Sequence, residues 1–268
     1  MSRIARKGLA ATTRIGVLIW LPIAILAFWI FASRNSSSFY VPKFDATMVA
    51  IGKYFTMEGF QTHVLPTVTN LLAGFVVAIF VGVVLGLIIG RVRWLHDATA
   101  PIFSFMRSIP PPALLPIAMV LLGIGPQMRI GLIAFGAVWP TLLSTIDAVR
   151  NVDSALGDIA RVYAIRRWRQ LLHMTLPAIG PMVMAGVRTS LLYSITLIVL
   201  SEMVGASAGL GHSVLLSQRT FQVADMWAAI IMLGLLGLAL NAIFVAVENT
   251  VLRWHRQRNT ERGGSWIA

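Results

Sequence analysis

Cysteine is absent from this sequence, which excludes disulfide bonds, thiol nucleophiles and thiolate metal sites. The five histidines do not replace it as metal ligands, because they are widely spaced and follow no ligand pattern. A membrane-embedded enzyme would need a nucleophile beside a base, and no motif brings a histidine and a serine together. We therefore predict no metal site and no catalytic residue, and we expect that the chain is not an enzyme.

Charged residues are also scarce. They form 12% of the 268 residues, while 57% are hydrophobic and the mean hydropathy is +0.79. A soluble domain carries about 25% charged residues, so most of this surface must face lipid. A crossing needs about 20 residues, and the apolar stretches fill the chain. The composition predicts an all-α integral membrane protein with no separate soluble domain.

Six apolar stretches are long enough to cross a bilayer. Their approximate bounds are Ile15 to Ala32, Val64 to Gly90, Pro101 to Gly123, Ile130 to Ile146, Ala178 to Val204 and Met226 to Leu252. The first follows a basic segment, as in a signal peptide, but it is too long and no small-residue cleavage site follows it. We predict that it is retained as the first of six transmembrane helices.

Acidic residues are the rarer charge, with 10 against 22 basic ones, and the net charge is +12. The basic residues are scattered between the spans rather than gathered on one face, which argues against nucleic-acid binding. With the N-terminus inside, the inner segments carry fifteen Lys and Arg and the outer segments five. The positive-inside rule then predicts that both termini are cytoplasmic, and six spans satisfy this requirement.

The third predicted span is unusual because, beyond its first residue Pro101, it contains four more prolines, Pro110, Pro111, Pro112 and Pro116. Each removes a backbone donor. Such a segment is stable in a membrane only where it packs against protein or lines a cavity.

The longest inner loop, from Asn151 to Pro177, contains an amphipathic pattern. Asp153 is a suitable N-cap, and apolar residues recur at helical spacing afterwards: Leu156, Ile159, Ala160 and Tyr163. Such a helix either rests on lipid headgroups or docks into a groove of a soluble partner. The pattern alone leaves both interpretations open.

The same loop resembles the Glu-Ala-Ala loop of binding-protein-dependent ABC importer permeases. Asp158-Ile159-Ala160, then Ala164, then Leu176-Pro177 keep the spacing of that motif. Asp158 replaces its glutamate, Ile159 its first alanine and Ala164 its glycine. The resemblance implies that Ser154 to Tyr163 is the coupling helix, with contacts to an ATPase subunit from Leu156, Asp158, Ile159, Ala160, Arg161, Tyr163 and Ala164.

Further segments are similar to the nitrate, sulfonate and taurine subgroup of that family. They are Arg107 to Pro116 with Leu122-Gly123-Ile124-Gly125, then Gly186-Val187-Arg188, and finally Ser201 to Ala206 with Gly209-Leu210-Gly211. The resemblance implies a type I ABC importer (MetI-like) permease fold in the bacterial inner membrane. It also implies two ATPase subunits, a second permease copy that we expect to be identical, and an extracytoplasmic solute-binding protein.

ATP and Mg²⁺ are expected on the partner ATPase, and this chain is expected to bind no cofactor. It has no Gly-x-x-x-x-Gly-Lys-Ser/Thr loop, and its only lysines are Lys7, Lys43 and Lys53. We expect one permease domain over 1–268. Residues 1–60 hold the first span and an outer segment, 61–255 form the core with the coupling loop 150–176, and 256–268 form a cytoplasmic tail.

Two charges lie deep in the predicted membrane region. Arg188 lies ten residues past Ala178, about 15 Å along a helix, whereas Glu202 lies near the outer end of the same span. An ion at such depth must be paired with an opposite charge or be in contact with water. These residues therefore either form structural ion pairs or line the pathway. The candidate pathway or gate residues are Arg107, Pro110, Pro112, Arg188, Glu202 and Met203. Asp147 is a possible partner for Arg107.

Two alternatives remain. An ion-coupled secondary transporter also places charges mid-membrane, but it normally shows two related halves and more intramembrane acids. An importer of the same class also carries heterocyclic or aromatic solutes in some members. The expected function is import of a small, sulfonate-, taurine- or nitrate-like anion by alternating access.

Overall fold

The computed structural model describes residues 20–21, 23–34 and 40–253, and this part of the chain is helical. The start of the predicted first span and the whole predicted tail, 256–268, lie outside the described residues. The helices are α1 (Ile23–Arg34), α2 (Phe44–Tyr54), α3 (Met57–Arg91), α4 (Arg93–Ser108), α5 (Pro111–Leu122), α6 (Pro126–Arg150), α7 (Ser154–Val162), α8 (Arg167–Gly205), α9 (Leu210–Arg219) and α10 (Val223–Val251).

Four helices of the described chain are long and apolar enough to cross a membrane, namely α3, α6, α8 and α10. They coincide with the predicted second, fourth, fifth and sixth spans. Helices α4 and α5 together form a possible fifth, and α1 is a shorter apolar helix. Helix α2 lies within residues 1–60, which were predicted to hold the first span and an outer segment.

The predicted third span is not one continuous helix. Helix α4 begins at Arg93, before the predicted start, and it meets α5 at a bend of 84°. Ile109 is extended at the break, as expected for a residue that precedes proline. Pro110 and Pro111 cannot donate to the preceding turn, which explains why the helix stops here.

Helices α3 and α6 pack closely because α3 carries a small residue at every fourth position. The stripe consists of Gly74, Ala78, Gly82, Gly86 and Gly90. A Cβ added at Gly86 would lie 2.5 Å from Cβ of Thr145, and one at Gly74 would lie 2.6 Å from Cβ of Ile133. Such small-residue stripes let helix backbones approach in a membrane.

Helix α6 is central because its other side contacts α8. Gly186 of α8 lies against Ser144 and the Pro140 carbonyl, and the hydroxyls of Thr141 and Ser190 hydrogen-bond at 2.8 Å. The buried core between α3, α6 and α8 contains Leu71, Phe75, Ala78, Ile133, Ala137, Val187, Leu191, Leu197 and Ile198. A second cluster joins α2, α9 and α10 through residues such as Tyr54, Leu210 and Ala228.

Candidate functional site

Helix α7 forms as the loop sequence predicts, and its start is capped. Asp153 accepts a hydrogen bond from the Ala155 amide at 2.9 Å, which satisfies one of the free donors of the first turn. The exposed carboxylate of Asp158 lies 3.5 Å from the Arg161 guanidinium, one turn along. In water such a pair contributes little to stability.

The end of α7 depends on Ala164, which has a left-handed backbone with φ of 49°. The Ile165 amide donates to the Ala160 carbonyl at 2.8 Å, and the Ala164 amide donates to the Arg161 carbonyl at 3.2 Å. These two bonds form the Schellman arrangement, which usually has glycine at the left-handed position. This conformation explains why the family motif has glycine at the position of Ala164. In this chain the alanine adopts the same left-handed backbone.

The apolar residues of α7 divide between two sides. Ala160 is buried and Leu156 is half-buried, so they pack on the rest of the chain. Ile159 is exposed, as are Val162 (81%) and Tyr163 (75%). The predicted apolar face of Leu156, Ile159, Ala160 and Tyr163 is therefore only partly covered by the chain. Its outer part is an uncovered apolar surface of Ile159, Val162 and Tyr163.

At the opposite end of α8, Glu202 is completely buried and binds two other helices. Its carboxylate accepts hydrogen bonds from the Thr67 hydroxyl of α3 at 2.9 and 3.0 Å and from the Gly211 amide of α9 at 2.9 Å. The Thr67 hydroxyl oxygen also accepts from the Leu210 amide at 2.9 Å. Together, these four residues form the Glu202–Thr67 network, which satisfies amides at the start of α9 that have no partner within the helix.

Glycines make room for this network. Gly209 has φ of 113°, which favours glycine. A Cβ at Gly209 or at Gly211 would approach within 3 Å of the Glu202 side chain. Arg129 of α6 is buried, its Nε has no hydrogen-bond partner, and it attracts the Glu202 carboxylate electrostatically. The motif Gly209-Leu210-Gly211 and Glu202 thus act as one unit.

Arg188 lies on the opposite face of α8 from the core. That face is exposed over two turns and carries Arg188, Thr189, Tyr193 and Thr196, with the apolar Leu192 among them. Towards Pro111 and Pro112 it borders a cavity of about 310 Å³ that Tyr193 and Thr196 also line. Arg188 belongs to none of the ion pairs found in the described residues, so its charge is available to a solute or a partner.

The other predicted pathway residues are dispersed. Arg107 is exposed at the end of α4, and the proposed pair with Asp147 is not among the ion pairs of the described chain. Pro110 and Pro112 are exposed at the bend, and Pro112 lines the same cavity as Tyr193. Met203 is half-buried beside Glu202 on α8.

Sequence reasoning missed Thr67, Arg129, Tyr193 and Thr196. A signal existed for Tyr193 and Thr196, because they continue the polar face of Arg188 and Thr189 at helical spacing. No sequence signal marked Thr67, since its partners lie 135 and 143 residues away along the chain.

A further cavity of about 440 Å³ lies beside α9 and is lined by Lys53, Tyr54, His63, Ser213 and Asp225, among others. Lys53 and Asp225 form an ion pair of 2.7 Å across it, and the Ser213 hydroxyl and His63 Nδ1 hydrogen-bond at 2.9 Å. Burial raises the pKa of Tyr54, although the hydrogen bond with Ser213 opposes this. Tyr54 therefore stays a neutral donor at physiological pH.

Comparison with known families matches residues 78–253 to the model of "Binding-protein-dependent transport system inner membrane component". The chain is 28% identical over 197 residues to the nitrate import permease protein NrtB of Synechocystis sp., covering 74% of this chain and 72% of the relative. It is 26% identical over 245 residues to the putative aliphatic sulfonates transport permease protein SsuC of Bacillus subtilis, covering 91% and 88%.

A bicarbonate transport system permease protein, CmpB of Synechococcus elongatus, is 29% identical over 197 residues, covering 73% of this chain and 71% of the relative. Among solved structures, a chain of the inward-facing MetNI methionine ABC transporter superposes with a TM-score of 0.61 at 21% identity. That match covers 70% of this chain and 94% of the solved one. The fold is therefore an all-helical membrane fold like that of the MetI permease.

Proposed function

The chain belongs to the family of binding-protein-dependent transport system inner membrane components, and we propose that it moves a small anion into the cytoplasm by alternating access. Its relatives make it an ABC importer permease subunit of the nitrate, bicarbonate and sulfonate group. It has no catalytic role of its own, and the family carries no cofactor. ATP hydrolysis belongs to a separate ATPase.

The observation that carries the proposal is the uncovered apolar surface of α7. Ile159, Val162 and Tyr163 are exposed on a helix that lies between two long spans. An apolar helix face that docks in a groove of a partner is an established mode of recognition. We propose that Leu156, Asp158, Ile159, Ala160, Arg161, Tyr163 and Ala164 form the coupling region for the ATPase.

The pathway is proposed along the polar face of α8. Arg188 supplies a positive charge outside the ion pairs of the described chain, and Tyr193 supplies a hydroxyl. The Thr189 and Thr196 hydroxyls donate to the Ala185 and Leu192 carbonyls, so they would have to turn away from these carbonyls to donate to a solute. These groups suit a small oxyanion, which accepts hydrogen bonds and carries negative charge. Arg107, Pro110 and Pro112 are proposed to border the same route at the bend between α4 and α5.

The Glu202–Thr67 network and Met203 are proposed to form part of the outer gate. Because the network ties α9 to α3 and α8, a relative movement of these helices moves α9 as well. A second, identical copy is proposed to complete the pathway across from the α8 face. Two ATPase subunits and a binding protein complete the assembly.

The proposed topology has six spans with both termini in the cytoplasm. It takes α4 and α5 as one broken crossing and adds a first crossing that includes α1. The fifteen-to-five distribution of basic residues supports this orientation. The proposed single permease domain spans 1–268 and includes the matched residues 78–253.

Replacement Ile159→Asp tests the coupling role. A buried, unpaired carboxylate in an apolar groove costs several kcal/mol, so a tagged chain should lose its ATPase subunit during copurification. The control Gln218→Asp adds the same charge on the exposed face of α9 and should retain the ATPase. Equal retention by both variants would contradict the coupling role of α7.

Replacement Arg188→Gln tests the pathway. Loss of a charge-assisted hydrogen bond costs about 1.5–3 kcal/mol, so uptake of the anion should fall roughly tenfold or more while the ATPase stays bound. Arg188→Lys should retain more uptake than Arg188→Gln, and Arg219→Gln on α9 should leave uptake unchanged. Normal uptake by Arg188→Gln would remove Arg188 from the pathway.

A further inference from the structure

A basic cavity lies at the α7 end of the molecule. It has a volume of about 590 Å³ and is lined by four arginines, Arg91, Arg93, Arg150 and Arg167, together with Gly90, Val149, Val152, Gln170 and Thr175. The arginines come from four separate places: the end of α3, the start of α4, the end of α6 and the start of α8. The fold, rather than a run in the sequence, brings these charges together.

These four arginines have little to neutralise them. None belongs to an ion pair within residues 20–21, 23–34 and 40–253, and no acidic side chain lines the cavity. Asp97 attracts Arg93 and Arg150 electrostatically, but its carboxylate bonds to His96 at 3.1 Å. One carboxylate cannot balance four guanidinium groups. Their repulsion therefore favours an anion in the cavity.

The cavity also has exposed tryptophans beside it. Trp94 follows Arg93 and is 72% exposed, and Trp168 follows Arg167 and is 68% exposed. Tryptophan is enriched where membrane proteins cross the headgroup layer. Two exposed tryptophans next to cavity arginines place this opening at the depth of lipid headgroups.

We propose that this cavity binds a phosphate-bearing anion, namely the headgroup of an anionic phospholipid. Arginine forks recognise phosphate oxygens through paired hydrogen bonds, and basic pockets between transmembrane helices bind acidic headgroups. Gln170 and Thr175 supply further polar groups on the wall. A free phosphate has the same chemistry, but the flanking tryptophans favour a source anchored in the bilayer.

Such a ligand would affect the segment that holds α7. Arg150 and Val152 lie directly before α7, and Arg167 lies directly after it. A phosphate held by Arg91, Arg93, Arg150 and Arg167 would bridge the α3–α4 corner to both ends of the α7 segment. The acidic lipid would thereby stiffen the base of α7 without contacting its uncovered apolar surface.

The test measures the Tm of the purified full-length chain during titration with short-chain phosphatidylglycerol, short-chain phosphatidylcholine or inorganic phosphate. Phosphatidylglycerol should raise the Tm, and phosphatidylcholine should not. The double variant Arg93→Gln/Arg150→Gln should bind phosphatidylglycerol at least tenfold more weakly, since each cation near a membrane surface contributes roughly fivefold. Both side chains are exposed, so the variant should keep the wild-type Tm without lipid.

Arg166→Gln provides the matched control, because Arg166 is exposed beside Arg167 but does not line the cavity. It should keep the wild-type affinity. An equal effect of inorganic phosphate would support the site and assign it to a soluble phosphate. Three results would overturn the proposal: no shift with either phosphate source, unchanged affinity in the double variant, or loss of the lipid effect once the ATPase is bound. The last would identify the arginines as a protein contact.

Discussion

At the residue scale, the conformation of Ala164 explains a position that the sequence could only compare with a motif. The apolar spacing after Asp153 predicted the helix, and the resemblance of Asp158, Ala160 and Pro177 to the family motif implied its role. Neither could reveal that residue 164 takes a left-handed backbone, because an alanine usually avoids that region. The structure shows that the requirement is local, since the hydrogen bonds at the end of α7 need this conformation.

Replacement Ala164→Gly should stabilise the end of α7. Glycine adopts a positive φ freely but is more flexible in the unfolded chain, so we expect a net gain of about 0.5 kcal/mol. Hydrogen exchange of the Ile165 amide should slow roughly twofold. Ala155→Gly, inside the same helix, should instead destabilise α7. Faster exchange in Ala164→Gly would show that the left-handed conformation is not costly here.

Glu202 shows what sequence reasoning can and cannot establish about a buried charge. Its position in the fifth predicted span was readable, and it made Glu202 either a member of a structural ion pair or a candidate pathway or gate residue. Its partners Thr67 and Arg129 were not readable, because burial and pairing depend on the packing of α3, α6 and α9. Arg129 in particular contributed to the sequence analysis only as a basic residue outside the membrane, yet it is buried beside Glu202.

Replacement Thr67→Val should loosen α9, because it keeps the shape of the side chain but leaves the Leu210 amide without its acceptor. A lost buried hydrogen bond costs about 1–3 kcal/mol. Because the chain has no cysteine, a Ser217→Cys replacement places a single buried thiol on α9. Its labelling by maleimide should be roughly tenfold faster in the Thr67→Val background, because α9 separates more often from α3. Thr69→Val removes only hydrogen bonds within α3 and should not change labelling. Equal rates in both variants would contradict the network.

At the element scale, helix existence was predicted better than helix geometry. Apolar length predicts a span because the bilayer requires about 20 apolar residues, and α3, α6, α8 and α10 follow that rule. Prolines interrupt a helix, but the packing of the fold decides the direction in which the chain continues. The angle of 84° between α4 and α5 could therefore not be predicted from the sequence. The glycine stripe of α3 was readable at every fourth residue, but only the structure identifies α6 as its partner.

Replacement Gly86→Val should separate α3 from α6. Its Cβ would lie 2.5 Å from Cβ of Thr145, and overpacking of this kind costs about 1–3 kcal/mol. We expect a lower Tm of the detergent-solubilised chain. Gly234→Val on α10 has open space around it and should leave the Tm nearly unchanged. A larger loss at Gly234 than at Gly86 would contradict the close packing of the stripe.

At the scale of the whole molecule, the two proposed functional regions lie at opposite ends of the described chain. One end carries α7 with its uncovered apolar surface and the basic cavity, and the other carries α9, held by the Glu202–Thr67 network. Helices α6 and α8 run between the two ends and pack closely through Gly186. Because the chain joins α7 directly to α6 and α8, we propose that a movement imposed on α7 reaches α9 through these two helices. Sequence reasoning predicted both ends, but not the connection between them.

The most direct measurement is solute accumulation in proteoliposomes that contain the chain, its ATPase and its binding protein, with ATP supplied to the ATPase. Nitrate, bicarbonate and an aliphatic sulfonate form the test panel. We predict ATP-dependent accumulation of at least one of them, abolished by Ile159→Asp in α7 and preserved by Gln218→Asp in α9. Undiminished, ATP-driven accumulation with Ile159→Asp would contradict the claim that α7 transmits ATPase movement to the spans.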